Sequence, residues 1–175
     1  MTMTQSSQNQ ASKALAEMYN SNTDYIQRLK EIISLNQLVQ MQAEDMAGIE
    51  LIGKPKYLAS LCSTNHHALQ HWLDDLEQWQ DTIDKTEPQY AETTACCVYD
   101  DYGFYQDHAN DLKNIAVMAC DQVDELKRHN PSHDFQLLNH LTSVIKRLAV
   151  NFFSDLEAEL DVLSQLYPDL FMVEV

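Results

Sequence analysis

Three glycines and four prolines in 175 residues supply too little turn chemistry for an all-β chain, which reverses about every 8 to 12 residues. Basic residues are also scarce, 11 against 27 acids, for a formal charge of -16. Such a chain is repelled by nucleic acid and by anionic membrane surfaces, so no nucleic-acid partner is expected. A basic protein partner, a neutral surface or simple solubility remains open. No stretch approaches the ~18 apolar residues of a membrane span. The opening MTMTQSSQNQ has neither the basic nor the apolar region of a leader, and a cytoplasmic location is expected. Cys62, Cys96, Cys97 and Cys120 show no CxxC spacing, and the adjacent pair is awkward for joint ligation of one ion, so reduced structural thiols are expected. Hydrophobic residues still make up 45% of the chain, enough for the core of a single domain.

What the sequence does have is helical periodicity. Residues 1 to about 10 are polar and are expected to be loose, with a helical bundle over 11–167 and an apolar tail over 168–175. Leu15 and Met18 suit a short lead-in helix, which NSNTD at 20–24 interrupts because its side chains favour caps over helix interiors. From Thr23 onward, Ile26, Leu29, Ile32, Asn36, Val39, Ala43 and Met46 recur every three or four residues, giving a first long helix that ends near Gly53. Pro55 then opens a second helix running to about Asp84. Its stripe, Leu58, Cys62, Asn65, Leu69, Trp72, Leu76, Trp79 and Ile83, alternates steps of four and three, as a heptad seam does. TEPQ at 86–89 reads as a capping box made by Thr86 and Gln89. It opens a third helix whose stripe keeps the same alternation from Ala91 to Leu126 and ends near Arg128. Gly103 costs ~1 kcal/mol there relative to alanine, so a break or bulge is the alternative. Asn130 and Pro131 read as the cap and first position of a fourth helix, which carries Leu138, Leu141, Ile145, Leu148 and Phe152 and stops at Pro168.

Short connections leave no reach for a crossover, so the expected fold is all-α: an antiparallel up-down-up-down four-helix bundle with long helices and short loops. Asn36 and Asn65 occupy stripe positions where a buried asparagine sets register or oligomer state, and a homo-oligomer is therefore possible in principle.

Candidate sites are judged against that stripe. In HHALQHWLDDLEQW, 66–79, His67 and His71 have the i, i+4 spacing that catches zinc. With Leu69 and Trp72 facing the core, however, His67, His71 and Asp74 face water among Asp75, Glu77 and Asp81. Metal-binding bundles project Glu and ExxH ligands inward, and ExxH does not occur here. No metal and no cofactor are expected. In VYDDYGFY, 98–105, Tyr102 and Tyr105 fall on the core stripe, while Tyr99 and Phe104 need not. With Asp100 and Asp101 they form either a binding surface or core continuing under a kink. Phe171 to Val173 are expected to cap the bundle end rather than to dock elsewhere.

Two resemblances bear on function. RHNPSH at 128–133 places a histidine after an arginine and four further residues, which resembles the motif of HEPN ribonucleases. These are four-helix bundles that often dimerise, and the resemblance implies that Arg128 would stabilise phosphate charge and His133 would move a proton. Pro131 at a helix junction departs from the pattern, and the alternative is that Arg128 and His129 complement the dipole at a helix C-terminus. YIQRLKEIISLNQLVQMQAEDMAGIELIGKPKYLASL followed by HWLDDLEQW, within residues 25–85, is similar in layout to phasins, the helical coat proteins of polyhydroxyalkanoate granules. There too an amphipathic helix passes through an LN pair, reaches a polar break and continues into a second amphipathic helix. That resemblance implies a non-catalytic protein coating a hydrophobic granule surface, with Leu69, Trp72, Leu76 and Trp79 exchanging partners in the core for the granule. The competing expectation is an acidic inhibitor, immunity-type or regulatory protein that binds a basic protein partner, steered by Asp74, Asp75, Asp100 and Asp101.

Overall fold

Apolar side chains every three or four residues wind the chain into four long helices: α1 Gln5–Met46, α2 Pro55–Asp84, α3 Ala91–His129 and α4 Gln136–Leu166. A 3-10 turn at Pro88–Tyr90 leads into α3, and a one-turn helix α5, Pro168–Phe171, follows α4. The computed structural model describes residues 5–171. The loose N-terminus expected for residues 1–4, and the tail residues Met172 to Val175, lie outside the described residues. Consecutive helices are antiparallel, and no strand occurs among the described residues. The fold is the expected all-α bundle. Helix α1 packs on α2 and α4 and, across the short diagonal, on α3.

Several boundaries differ from the sequence expectation, each for an identifiable reason. Residues 5–10 are helical rather than loose, and α1 runs unbroken through NSNTD. Ala11, Ala14, Leu15 and Met18 are buried and anchor its first turns. The cap-forming side chains find partners elsewhere: Asn22 Nδ2 donates to Leu76 O at 2.7 Å and Gln80 Oε1 at 3.0 Å, and the Thr23 hydroxyl donates to Tyr19 O at 2.9 Å. The Asn22 amide N–H groups are thus drawn to α2 and the Thr23 hydroxyl folds back on the preceding turn, so neither breaks α1, while Asn22 Oδ1 stays buried without a partner among the described residues.

Helix α1 stops at Met46, well before Gly53, and residues 47–54 form a turn. Gly53 has φ +123°, a conformation that favours glycine, and a Cβ there would stand 2.9 Å from Leu126 Cδ2, whose side chain would have to shift. Asn130 holds this turn instead of capping α4. Its Oδ1 accepts from Ile52 N at 2.8 Å, while its Nδ2 donates to Ile52 O at 2.6 Å and to Leu126 O at 2.9 Å. Helix α4 therefore begins at Gln136, whose N–H donates to Asp134 Oδ1 at 2.8 Å.

The TEPQ capping box does not form. The Thr86 hydroxyl turns back to Thr82 O at 2.7 Å, and the Gln89 amide reaches Glu87 Oε2. Helix α3 passes through Gly103 without a break, and its alternating stripe from Ala91 to Leu126 is buried throughout. In α4, Leu148 and Leu160 are only half-buried, and Ala149 lies in the core beside Phe152.

The centre of the bundle is aromatic. Phe152 meets Tyr25 and Trp72 with ring centroids 5.0 Å away in each case, and Tyr102 lies 5.9 Å from Tyr105. Their hydroxyls are paired where buried most deeply: Tyr102 donates to Met18 O at 3.1 Å and Tyr25 to the Glu159 carboxylate. Burial first, then the Glu159 charge, raises the pKa of both tyrosines, so both remain donors.

Asn130→Ala removes all three bonds of the turn clamp and leaves the Ile52 N–H unpaired. Its denaturant midpoint is expected to fall with unchanged m-value, by about 1–3 kcal/mol in unfolding free energy.

Candidate functional site: the groove between helices α2 and α3

On a straight α-helix each heptad falls behind the 3.6-residue period by ~20°. Leu58, Asn65, Trp72 and Trp79 are successive members of one heptad line, so Trp79 has turned about 60° from Leu58. Leu58, Asn65 and Trp72 are buried, whereas Trp79 is only half-buried. The expectation that both tryptophans are core thus holds for Trp72, 4% exposed, and only in part for Trp79, which packs against the core from its edge. On the opposite edge of the stripe, the same drift brings Leu73, which the heptad pattern left out, into the core.

Trp79 opens onto a groove of about 390 Å³ between α2 and α3. Its indole N–H donates to Asp101 Oδ2 on α3 at 2.6 Å. Asp75 and Thr82 flank it on α2, while Phe104, Tyr105 and His108 complete the α3 wall. Phe104 is 67% exposed, the largest value among the large apolar side chains described. Tyr105 is buried behind them, and its pKa is raised, first by burial and then by the charges of Asp101 and Asp75. Its hydroxyl is therefore neutral in a negative field set by both carboxylates. No lysine or arginine lines the groove.

The groove thus brings together Trp79, Phe104, Asp75 and Asp101, which the sequence offered as members of separate clusters. The remaining predicted binding residues fall elsewhere. Leu69, Trp72 and Leu76 are buried, so in the closed bundle they contact only its core, and binding through them requires the helices to exchange partners. Asp74 and Asp100 are exposed on the outer faces of α2 and α3. Tyr99 is half-buried under Phe171, with ring planes 11° apart and centroids at 4.2 Å. Cys96 Sγ–H reaches Leu170 O at 3.4 Å, so the described part of the tail caps the bundle as expected. His108, Gln78 and Thr82 were not foreseen as groove residues, because only the pairing of α2 with α3 reveals them.

The other candidate chemistries resolve simply. His67 and His71 are exposed, as the stripe predicts, and His71 Nδ1 lies 3.8 Å from Asp75 Oδ1. No group of three or more His, Cys, Asp or Glu able to hold a metal ion occurs among the described residues. Arg128 is exposed in the last turn of α3, and His133 is exposed in the following turn, where Nδ1 lies 3.3 Å from Ser132 Oγ. Asn130, between them, faces inward to the turn it clamps. The four thiols are unpaired; burial pushes Cys62 up to about 12 and also raises Cys96 and Cys120.

A second surface lies at the end of the bundle where α1 meets α2. Ile49, Ile52 and Tyr57 are exposed there, beside Lys54 and Lys56. Among the described residues no helix is long and apolar enough to cross a membrane. Comparison of the chain with protein-family models, with curated proteins and with solved structures gives no match.

The burial of the tryptophans is open to direct measurement. With Trp72→Phe leaving Trp79 as the sole indole, acrylamide is expected to quench emission more strongly than in Trp79→Phe, where only Trp72 remains. Equal quenching contradicts the half-open position of Trp79.

Proposed function

We propose that this chain is a non-catalytic, cytosolic interaction protein that binds a basic protein partner in the α2–α3 groove. The observation that carries the reading is the convergence of Trp79, Phe104 and Tyr105 with Asp75 and Asp101 around one opening lined by no lysine or arginine. Aromatic residues at a protein interface provide area with little entropy to lose, and the two carboxylates fix the sign of the partner. Asp74 and Asp100 on the flanking faces extend the negative field that steers a cation toward the groove.

A ten-residue peptide of mixed lysine and arginine serves as the probe. At ~0.15 M salt, Asp75→Asn/Asp101→Asn is expected to weaken binding by about tenfold or more. The charge-matched Asp74→Asn/Asp100→Asn is expected to slow association and to change affinity by only about two- to threefold. If the two double variants behave alike, the acids act only through net charge and the groove is not the site.

A phasin-like coat on a hydrophobic granule is the second reading, and one observation favours it. The polar break in the phasin-like stretch carries the exposed Ile49, Ile52 and Tyr57 with Lys54 and Lys56. An apolar tip flanked by lysines lays its side chains into an apolar boundary while the ammonium groups stay in water. This route leaves Leu69, Trp72 and Leu76 in the core. The reading predicts adsorption to polystyrene particles that persists at ~1 M salt, where charge is screened within a few ångströms, and that is lost in Ile49→Ser/Ile52→Ser. Adsorption unchanged by that double substitution excludes the loop as the contact.

A further inference from the structure

We infer that the α2–α3 groove seats a single arginine side chain of the basic partner, with its guanidinium plane against Trp79 and Phe104 and its N–H groups on Asp75 and Asp101. The inference rests on the basic-partner reading and narrows it.

No lysine or arginine lines the groove, whose wall carries one imidazole, that of His108. Lys30 on α1 and Lys85, just past the end of α2, are engaged with other acids, Glu77 at 2.7 Å and Asp81 at 2.6 Å. Asp75 has only the His71 imidazole beside it, at 3.8 Å. Asp101 accepts the Trp79 N–H on Oδ2, while its Oδ1 has no hydrogen-bond partner among the described residues. That bond orients the carboxylate and ties it to the indole, so an acceptor and an aromatic surface are presented together. Both carboxylates act on the buried Tyr105 hydroxyl, which places them on the same opening.

The shape favours arginine over lysine. Phe104 presents a largely bare ring, and Trp79 a half-buried one, on facing helices. A guanidinium is planar and weakly hydrated, stacks on rings and offers donors in a fixed fork, so it uses rings and two separated acceptors at once. An ammonium is compact and strongly hydrated, and entering an aromatic-walled slot strips water that only the carboxylates replace. Gly103, next to Phe104, adds room: a Cβ there would meet nothing within 4 Å, so the partner's backbone has open space beside the ring.

The experiment titrates the unaltered chain by calorimetry with two ten-residue peptides that differ only in carrying arginine or lysine at every basic position. The same titrations are followed by Trp79 emission in Trp72→Phe. The arginine peptide is expected to bind roughly tenfold more tightly and to change Trp79 emission. Phe104→Ala, an exposed position that leaves the core intact, is expected to weaken the arginine peptide several-fold more than the lysine peptide and so to shrink the preference. Equal affinities that both fall in Asp75→Asn/Asp101→Asn overturn the arginine seat and leave the basic-partner reading standing. Affinities indifferent to Asp75 and Asp101 overturn both.

Discussion

The alignment of α1 with α2 depends on two asparagines. Asn22 and Asn36 stand fourteen residues apart on α1, and the carbonyls they reach, Leu76 O at 2.7 Å and Cys62 O at 2.6 Å, stand fourteen apart on α2. A heptad seam alone tolerates a slip by one repeat, since leucine meets leucine either way. The side-chain partners of these amides do not tolerate it: a slip parts Asn36 from Asn65 and Asn22 from Gln80, whereas a backbone carbonyl recurs at every heptad. Asn65 strengthens the clamp by donating to Asn36 Oδ1 at 3.4 Å. The pairing carries outward to the surface, where Gln80 Nε2 meets Thr23 Oγ1 at 2.7 Å and Lys30 meets Glu77. With one edge of α2 committed to α1 in this way, the edge that holds Trp79 is left for α3.

The groove follows from that commitment and from the drift of a heptad against the 3.6-residue period. Trp79 stands at the edge of the α2 stripe, half-buried where Trp72, one heptad earlier, is covered. Its indole is neither dissolved in the core nor free in water; it has one donor, and Asp101 takes it. The same bond gives an acidic side chain a reason to lie against an aromatic wall, where partial desolvation would otherwise push it away. Tyr105 behind it stays neutral, since burial and both carboxylates disfavour its ionised form. A cation arriving from outside relieves the cost at Asp101, and no lysine or arginine among the lining residues supplies one.

Much of the bundle was legible in the sequence because its grammar is local. The alternation along α3 located every core position from Ala91 to Leu126, and Pro55 fixed the start of α2. What was illegible depended on partners distant in the chain. Asn22 looked like a helix breaker because its acceptor lies 54 residues away, and Asn130 looked like a cap because its turn lies 78 residues away. Trp79 and Asp101 were each visible, but as members of different patterns, and only the register of α2 on α3 makes them one feature. His108 carried no signal at all, being one polar residue among many on an outer helical face. Leu69, Trp72 and Leu76 were read as a stripe, and the regularity that draws attention to them is also what buries them in the closed bundle.

That last point bears on how such a bundle recognises anything. With the heptad positions committed to one another, a partner meets only what the seam leaves out: drift-edge residues such as Trp79, off-stripe residues such as Phe104, and loop residues such as Ile52. The formal charge of -16 acts on top of this at two ranges. At ~0.15 M salt, screening over about 8 Å confines most of the 27 acids to raising the encounter rate of any cation, without distinguishing one from another. Discrimination requires carboxylates held still against something with shape, because only there does the charge remain poorly screened and the geometry fixed. Asp101, tethered by an indole on the neighbouring helix, meets that requirement. Asp74 and Asp100, exposed on the outer faces of α2 and α3, do not, so two pairs of acids close together in sequence divide the work between attraction and recognition.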